Sequence, residues 1–192
     1  MIVGSLRAAT VLAGALVLAA CGAGSTPPPS VASVSAPPTA TSAATTPVAE
    51  AAGKCTLATL EASVGRTTGE AGQRHTTIVW TNTSSAPCTM TGFGGVDLKG
   101  PADATFGPTY SLPRSAGQPT TVRLAAGAAA HTVITWLPPQ DGPGWTPTGM
   151  LVTPPDETRS AELPWPGGAV LRQDGATHPG TFIGPVGAGA EG

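Results

Sequence analysis

The chain has 192 residues; only 10% are charged, glycine and proline number 26 and 21, and the formal net charge is −2. That length suits one ordinary domain with a single core, and so much glycine and proline argues against an extensively helical chain. Weak acidity without a basic patch excludes nucleic acid as a partner, and no polybasic run points to anionic lipid.

The N-terminus has the order of a secretory signal. Met1–Arg7 carries one basic side chain, Ala8–Leu18 is apolar without a charge or a proline, and the small Ala19 and Ala20 precede Cys21. The apolar run falls short of the about 20 residues that a helix needs to cross a bilayer. Leu18-Ala19-Ala20-Cys21 reads as a lipobox, so residues 1–20 are expected to be removed and Cys21 to be lipidated. One acyl chain holds marginally, at about 0.8 kcal/mol per buried CH₂, whereas the two chains of a diacylglyceryl thioether anchor stably. The expected location is the extracytoplasmic face of the cell membrane. Loss of Arg7 with the leader leaves eight basic against eleven acidic side chains.

Residues 21–53 follow as a linker of Ala, Ser, Thr and Pro, with Glu50 its one charge and no aromatic residue. Such a segment cannot bury enough apolar surface to offset its ordering entropy, and disorder is expected. Pro27-Pro28-Pro29 and Pro37-Pro38 bias it toward extended polyproline II, a spacer whose Ser/Thr/Pro composition also suits glycosylation.

From Lys54 the pattern changes to short strands and turns. Leu57–Val64 is the one helical candidate. Thr76–Asn82 is rich in β-branched residues and puts Ile78 and Trp80 on one face; residues 83–87 then read as a turn. Val96–Lys99 and Thr120–Leu124 are brief strands. Ala130–Leu137 is the clearest, with Thr132, Ile134 and Trp136 on one face. Gly149–Thr153, Ser160–Leu163, Ala169–Arg172 and Thr181–Ile183 complete the set. Pro154-Pro155 and Pro164 suit edge strands. The expectation is an all-β chain, a β-sandwich domain over residues 54–186 with a flexible tail at 187–192.

Once Cys21 is lipidated, Cys55 and Cys88 remain as a pair in an oxidising compartment, where a disulfide is the simple reading. They lack the C-x-x-C spacing of a redox site, and no further cysteine completes a structural zinc site.

The succession Cys55-Thr56-Leu57, Thr81-Asn82-Thr83-Ser84-Ser85, Pro87-Cys88, Gly92-Phe93-Gly94-Gly95-Val96, Val122-Arg123-Leu124, Thr135-Trp136 and Val152-Thr153-Pro154-Pro155 resembles the actinobacterial domain of unknown function 4232, found in exported proteins and lipoproteins. The resemblance spans about residues 54–186. It implies an immunoglobulin-like β-sandwich with a Cys55–Cys88 bridge, and it brings no catalytic residues. Read directly, Asn82 and Ser84 are turn formers whose side chains bond nearby amides, and Gly92, Gly94 and Gly95 allow conformations that other residues resist.

Chemistry is sparse. His75, His131 and His178 have no metal-ligand spacing, Asp97, Asp103, Asp156 and Glu157 are scattered, and no nucleophile elbow or phosphate loop occurs. No cofactor, no metal and no enzymatic activity are expected. Of the four tryptophans, Trp80 and Trp136 fall in strands and belong to the core. Trp145 and Trp165 lie in Pro/Gly loops and either plug the ends of the sandwich or, with Tyr110, form an exposed binding surface. The functional expectation is a monomeric, membrane-anchored lipoprotein whose non-catalytic domain binds a cell-wall polymer or an envelope protein, or acts structurally. The alternative is a small-ligand or metal carrier, which would bring His131 close to another His or a Met. A hydrolase would need a carboxylate pair or a His–carboxylate pair in a pocket.

Overall fold

In the computed structural model, which describes residues 52–192, short strands alternate with turns from end to end. The signal peptide, the Cys21 lipobox and the linker up to residue 51 lie outside the described residues. In chain order the strands are β1 (Gly53–Lys54), β2 (Leu60–Glu70), β3 (Gln73–Asn82), β4 (Cys88–Thr91), β5 (Gly95–Asp103), β6 (Gly107–Ser111), β7 (Thr121–Leu124), β8 (Ala129–Trp136), β9 (Gly149–Thr153), β10 (Ala161–Pro164), β11 (Phe182–Ile183) and β12 (Gly187–Ala188). They pair in three sheets, ordered β1-β4-β7, β10-β9-β5-β6 and β11-β8-β3-β2, with β12 added beside β8.

The fold is the all-β sandwich that the sequence leads one to expect. Alternation along each strand sends every second side chain inward. Ile78, Trp80, Ile134 and Trp136 come from one sheet, Val96, Leu98, Met150 and Val152 from another, and Met90, Val122 and Leu124 from the third. They meet in one core. Two inward threonines serve that core, for Trp80 Nε1 donates to Thr132 Oγ1 at 3.1 Å and Trp136 Nε1 to Thr76 Oγ1 at 3.0 Å. A buried hydroxyl is tolerated because it satisfies a buried indole N–H. Pro164 ends β10, an edge strand, where its missing amide costs no ladder bond.

Leu57–Val64 is not a helix. A single turn at Thr56, which accepts from the amides of Thr59 and Leu60 at 2.8 Å each, leads straight into β2. Leu60 pairs with Asn82 and Val64 with Ile78, so the ladder to β3 takes the residues that a helix would have used. Ala169–Arg172 makes only one bridge, Val170 to Trp145. The expected flexible tail is also corrected, because Gly187 and Ala188 pair with His131 and Ala130 and close an edge of β8. At the other end pairing begins at Gly53, opposite Cys88.

The disulfide joins Cys55 to Cys88, 33 residues apart, and pins β1 beside β4. Beyond it, Asn82 organises the turns. Its Nδ2 donates to the carbonyls of Ala86 (2.9 Å), Ala125 (3.1 Å) and Leu124 (3.3 Å), while Oδ1 accepts from the Ser84 amide and hydroxyl. The side chain bonds as a turn former should, yet Asn82 itself ends a strand and its backbone is not left-handed. Gly92 does adopt a positive φ, 100°, and a Cβ on Gly94 would collide with the Thr153 carbonyl. Asn82→Ala removes a fully buried side chain that ties the carbonyls of Ala86, Leu124 and Ala125 to the Ser84 amide. A stability loss of about 2 kcal/mol is expected in urea unfolding.

Candidate binding site

Arg172 follows the Val170 bridge with its guanidinium almost fully enclosed, the side chain 5% exposed. Nε and Nη2 clasp the Asp174 carboxylate at 2.9 and 2.6 Å. Nη1 donates to the Gly107 carbonyl at 2.7 Å, and Nη2 also reaches the carbonyls of Thr109 (2.8 Å) and Phe106 (3.2 Å). The planar group lies 4.7 Å from the Trp145 ring centroid and 5.4 Å from those of Tyr110 and Phe106. The Asp174 hydrogen bond and charge raise the Arg172 pKa despite the burial. A fork of donors that meets a carboxylate, a hairpin end and three rings at once is something only arginine provides. It fastens the β5–β6 hairpin, the Trp145 loop and the start of the 173–179 loop together.

Asp103 shapes the hairpin tip. Its Oδ1 accepts the amides of Thr105 and Phe106 at 2.8 and 2.9 Å, and those bonds hold the carboxyl below the usual carboxylate range. A depressed folded pKa stabilises the tip at neutral pH, and the contribution is lost as pH falls through the depressed value. A carbon-detected titration should show the Asp103 carboxyl protonating at lower pH than aspartate in an unfolded peptide, with the Thr105 and Phe106 amides shifting in step.

Beside Tyr110 opens a cleft of about 660 Å³, between residues 111–116 on one side and 173–179 on the other, with Phe182 within it. Both walls are fixed by hydrogen bonds. Ile183 N donates to the Pro113 carbonyl (2.9 Å), and Ser115 N donates to the Ile183 carbonyl (2.8 Å). On the far wall Gln173 Oε1 accepts from Gly180 N (2.8 Å) and Thr181 N (3.2 Å), which closes the loop on its own stem. Such a cleft is preformed and of the size that takes small ligands. Burial pushes the Tyr110 phenol up, and its hydroxyl is buried without a hydrogen bond of ordinary geometry, although the Gln173 backbone and the Thr181 hydroxyl lie near it.

The charges are one-sided. Asp174 is neutralised by Arg172. Arg114 is exposed on the opposite wall, makes no ion pair among the described residues, and rests its guanidinium 5.8 Å from the Phe93 ring centroid. His178 is exposed on the loop. The rest of the lining combines apolar Pro113, Ala116, Ala176, Pro179 and Phe182 with the uncharged polar Ser111, Ser115, Gln173 and Thr177.

The surface expected around Tyr110, Trp145 and Trp165 is corrected by their burial at 2%, 9% and 8% exposure. Trp145 Nε1 donates to the Pro101 carbonyl at 2.8 Å, and its ring fills the space beside Gly100, where a Cβ would clash. Trp165 Nε1 donates to the Gly168 carbonyl at 2.9 Å, and its ring meets Trp136 edge-on at 5.2 Å. Both plug the sandwich, as rings do when their polar edge finds an acceptor. Tyr110 alone borders a site, from beneath. Cys55 and Cys88 are paired as expected, and Cys21 lies outside the described residues.

The ring of His131 lies against Gly187 and Gly192, with Nδ1 3.2 Å from the Gly189 carbonyl oxygen. Among the described residues no three of His, Cys, Asp and Glu gather as metal ligands would. Nothing in the sequence singles out Arg114. The one local signal for Arg172 was a carboxylate two residues on, after an apolar stretch.

Fold and site together define a disulfide-closed β-sandwich domain with a preformed cleft edged by Arg114. The chain belongs to the family described as Domain of unknown function (DUF4232), whose model matches residues 55–182, a stretch that includes both paired cysteines and every residue lining the cleft. Among curated proteins, none matches the chain.

Proposed function

We propose that the protein is a lipoprotein of the cell envelope, anchored through Cys21, whose β-sandwich is a non-catalytic module that binds a cell-wall polymer or an envelope protein through the cleft between residues 111–116 and 173–179. The observation that carries the reading is the cleft itself, about 660 Å³ between walls held by hydrogen bonds. A preformed concavity with few convergent polar groups is the usual form of a recognition site. The lipobox and the linker support the location, since a tether and a spacer would hold the module above a membrane. Among the described residues no helix is long and apolar enough to cross a membrane.

Filling the cleft tests this. Ala116 and Ala176 are exposed residues on opposite walls, so Ala116→Trp with Ala176→Trp should occupy the space without disturbing the core. The full chain is expected to be retained on the purified envelope of its source, and the double variant to lose most of that retention, about tenfold or more. Ala126→Trp, at an exposed turn outside the cleft, should behave as the parent. Equal retention of all three would remove the cleft from the account. A freely diffusing small ligand is the second reading, favoured by the cleft volume, and it predicts that the parent chain is not retained.

A further inference from the structure

We infer that the cleft is built for a short extended peptide with small side chains that ends in a free carboxylate, with Arg114 as the residue that reads the carboxylate. The inference rests on the proposal that the cleft is the binding site, and it names what enters it.

Three observations converge. The first is charge. Asp174, the one carboxylate on the walls, is consumed by the bidentate clasp of Arg172. Arg114 keeps its charge unpaired among the described residues, with its guanidinium 5.8 Å from the Phe93 ring centroid. A guanidinium matches a carboxylate in geometry as well as in sign.

The second is the backbone. Residues 113–115 run parallel to Ile183, with the Pro113 carbonyl and the Ser115 amide turned toward it. Extended geometry turns the Arg114 amide and carbonyl the other way, and neither has a partner among the described residues. An open edge with one free donor and one free acceptor is what an added extended chain pairs with. A fatty acid carboxylate or an inorganic anion can accept from the amide but offers the carbonyl no N–H.

The third is the lining. Ala116 and Ala176 stand on opposite walls, with Pro113, Pro179 and Phe182 about them, and the polar side chains between them, Ser111, Ser115, Gln173 and Thr177, carry no net charge. Small apolar residues fit that lining, and about 660 Å³ gives room for three or four of them. Capture of a peptide terminus by a cation beside an open backbone edge is an established mode of recognition.

The test uses the full chain, isotope-labelled, with N-acetyl-trialanine as the free acid and as its C-terminal amide. The acid should shift the amide resonances of residues 111–116 and 173–182. The amide should bind about tenfold more weakly, the loss expected for one charge-assisted contact. Arg114→Gln should weaken the acid by a similar factor and leave the amide as it was, with an unchanged circular dichroism spectrum as the fold control. Equal binding of acid and amide would overturn the carboxylate assignment. So would equal shifts from inorganic phosphate at the same concentration, which would make this a simple anion site. If no peptide shifts the cleft while envelope retention still depends on Ala116 and Ala176, the peptide inference fails and the cleft proposal stands. If retention is also independent of them, both fail.

Discussion

Arg172→Met is expected to lower stability by about 3 kcal/mol and to loosen the whole Tyr110 end of the sandwich. Truncating one partner of a buried ion pair costs about 3–5 kcal/mol because the other charge stays behind unpaired. Asp174 keeps 22% exposure and can regain some water, which places the expectation at the lower end of that range. The carbonyls of Gly107, Thr109 and Phe106 lose their donor at the same time, and three rings lose the cation stacked among them. Methionine fills part of the volume, so the loss reports polar contacts more than a cavity. A double-mutant cycle with Asp174→Asn separates the contributions. The double variant should be clearly less destabilised than the sum of the singles, since Asp174→Asn removes the stranded charge. The same variant should lose envelope retention, because the 173–179 wall hangs from this anchor. Urea unfolding and retention measured on one preparation check both consequences.

Replacing Cys55 and Cys88 together with alanine is the second large effect, a loss of about 3–4 kcal/mol for a loop of this length on the chain-entropy account. The bridge has a mechanical role besides. β1 is only two residues long, and it stands between the linker and the rest of the domain. Without the bridge β1 is held by its two-residue ladder to β4, the bond from Cys55 N to the Thr89 carbonyl (2.9 Å), the contact of the Thr89 hydroxyl with the Gly53 carbonyl and the exposed Lys54–Asp156 ion pair. Hydrogen exchange in the double variant should therefore show lost protection at residues 53–60 first, with β3 and β8 still protected. Reducing the parent chain should reproduce both the stability loss and that pattern, and the variant itself should be indifferent to reductant.

What could be read from the sequence was whatever is local and periodic. Ile78 and Trp80, Thr132, Ile134 and Trp136, and the limits of Gly149–Thr153 follow from alternation alone, and the core uses them so. The Leu57–Val64 segment misleads because Leu57, Leu60, Glu61 and Val64 have helical spacing, and only the partner strand decides between the two patterns. β6 was hidden by Gly107 and Pro108, poor strand formers that a hairpin edge accommodates. Gly187–Ala188 has no strand signal and is recruited by the exposed edge of β8. The site was hardest to see. Arg172 is buried by carbonyls 63 to 66 residues away, and the cleft is made by two segments about sixty residues apart. The burial of Trp145 and Trp165 likewise turns on acceptors and glycines that meet them only in the fold.

The cleft as the contact face is tested most directly by amide hydrogen exchange of the full chain, free and bound to its own purified envelope. The account predicts new protection at residues 111–116 and 173–182, with little change along β2 or at the β10 edge. Protection centred on those edges instead, with the cleft amides exchanging as in the free chain, would contradict it.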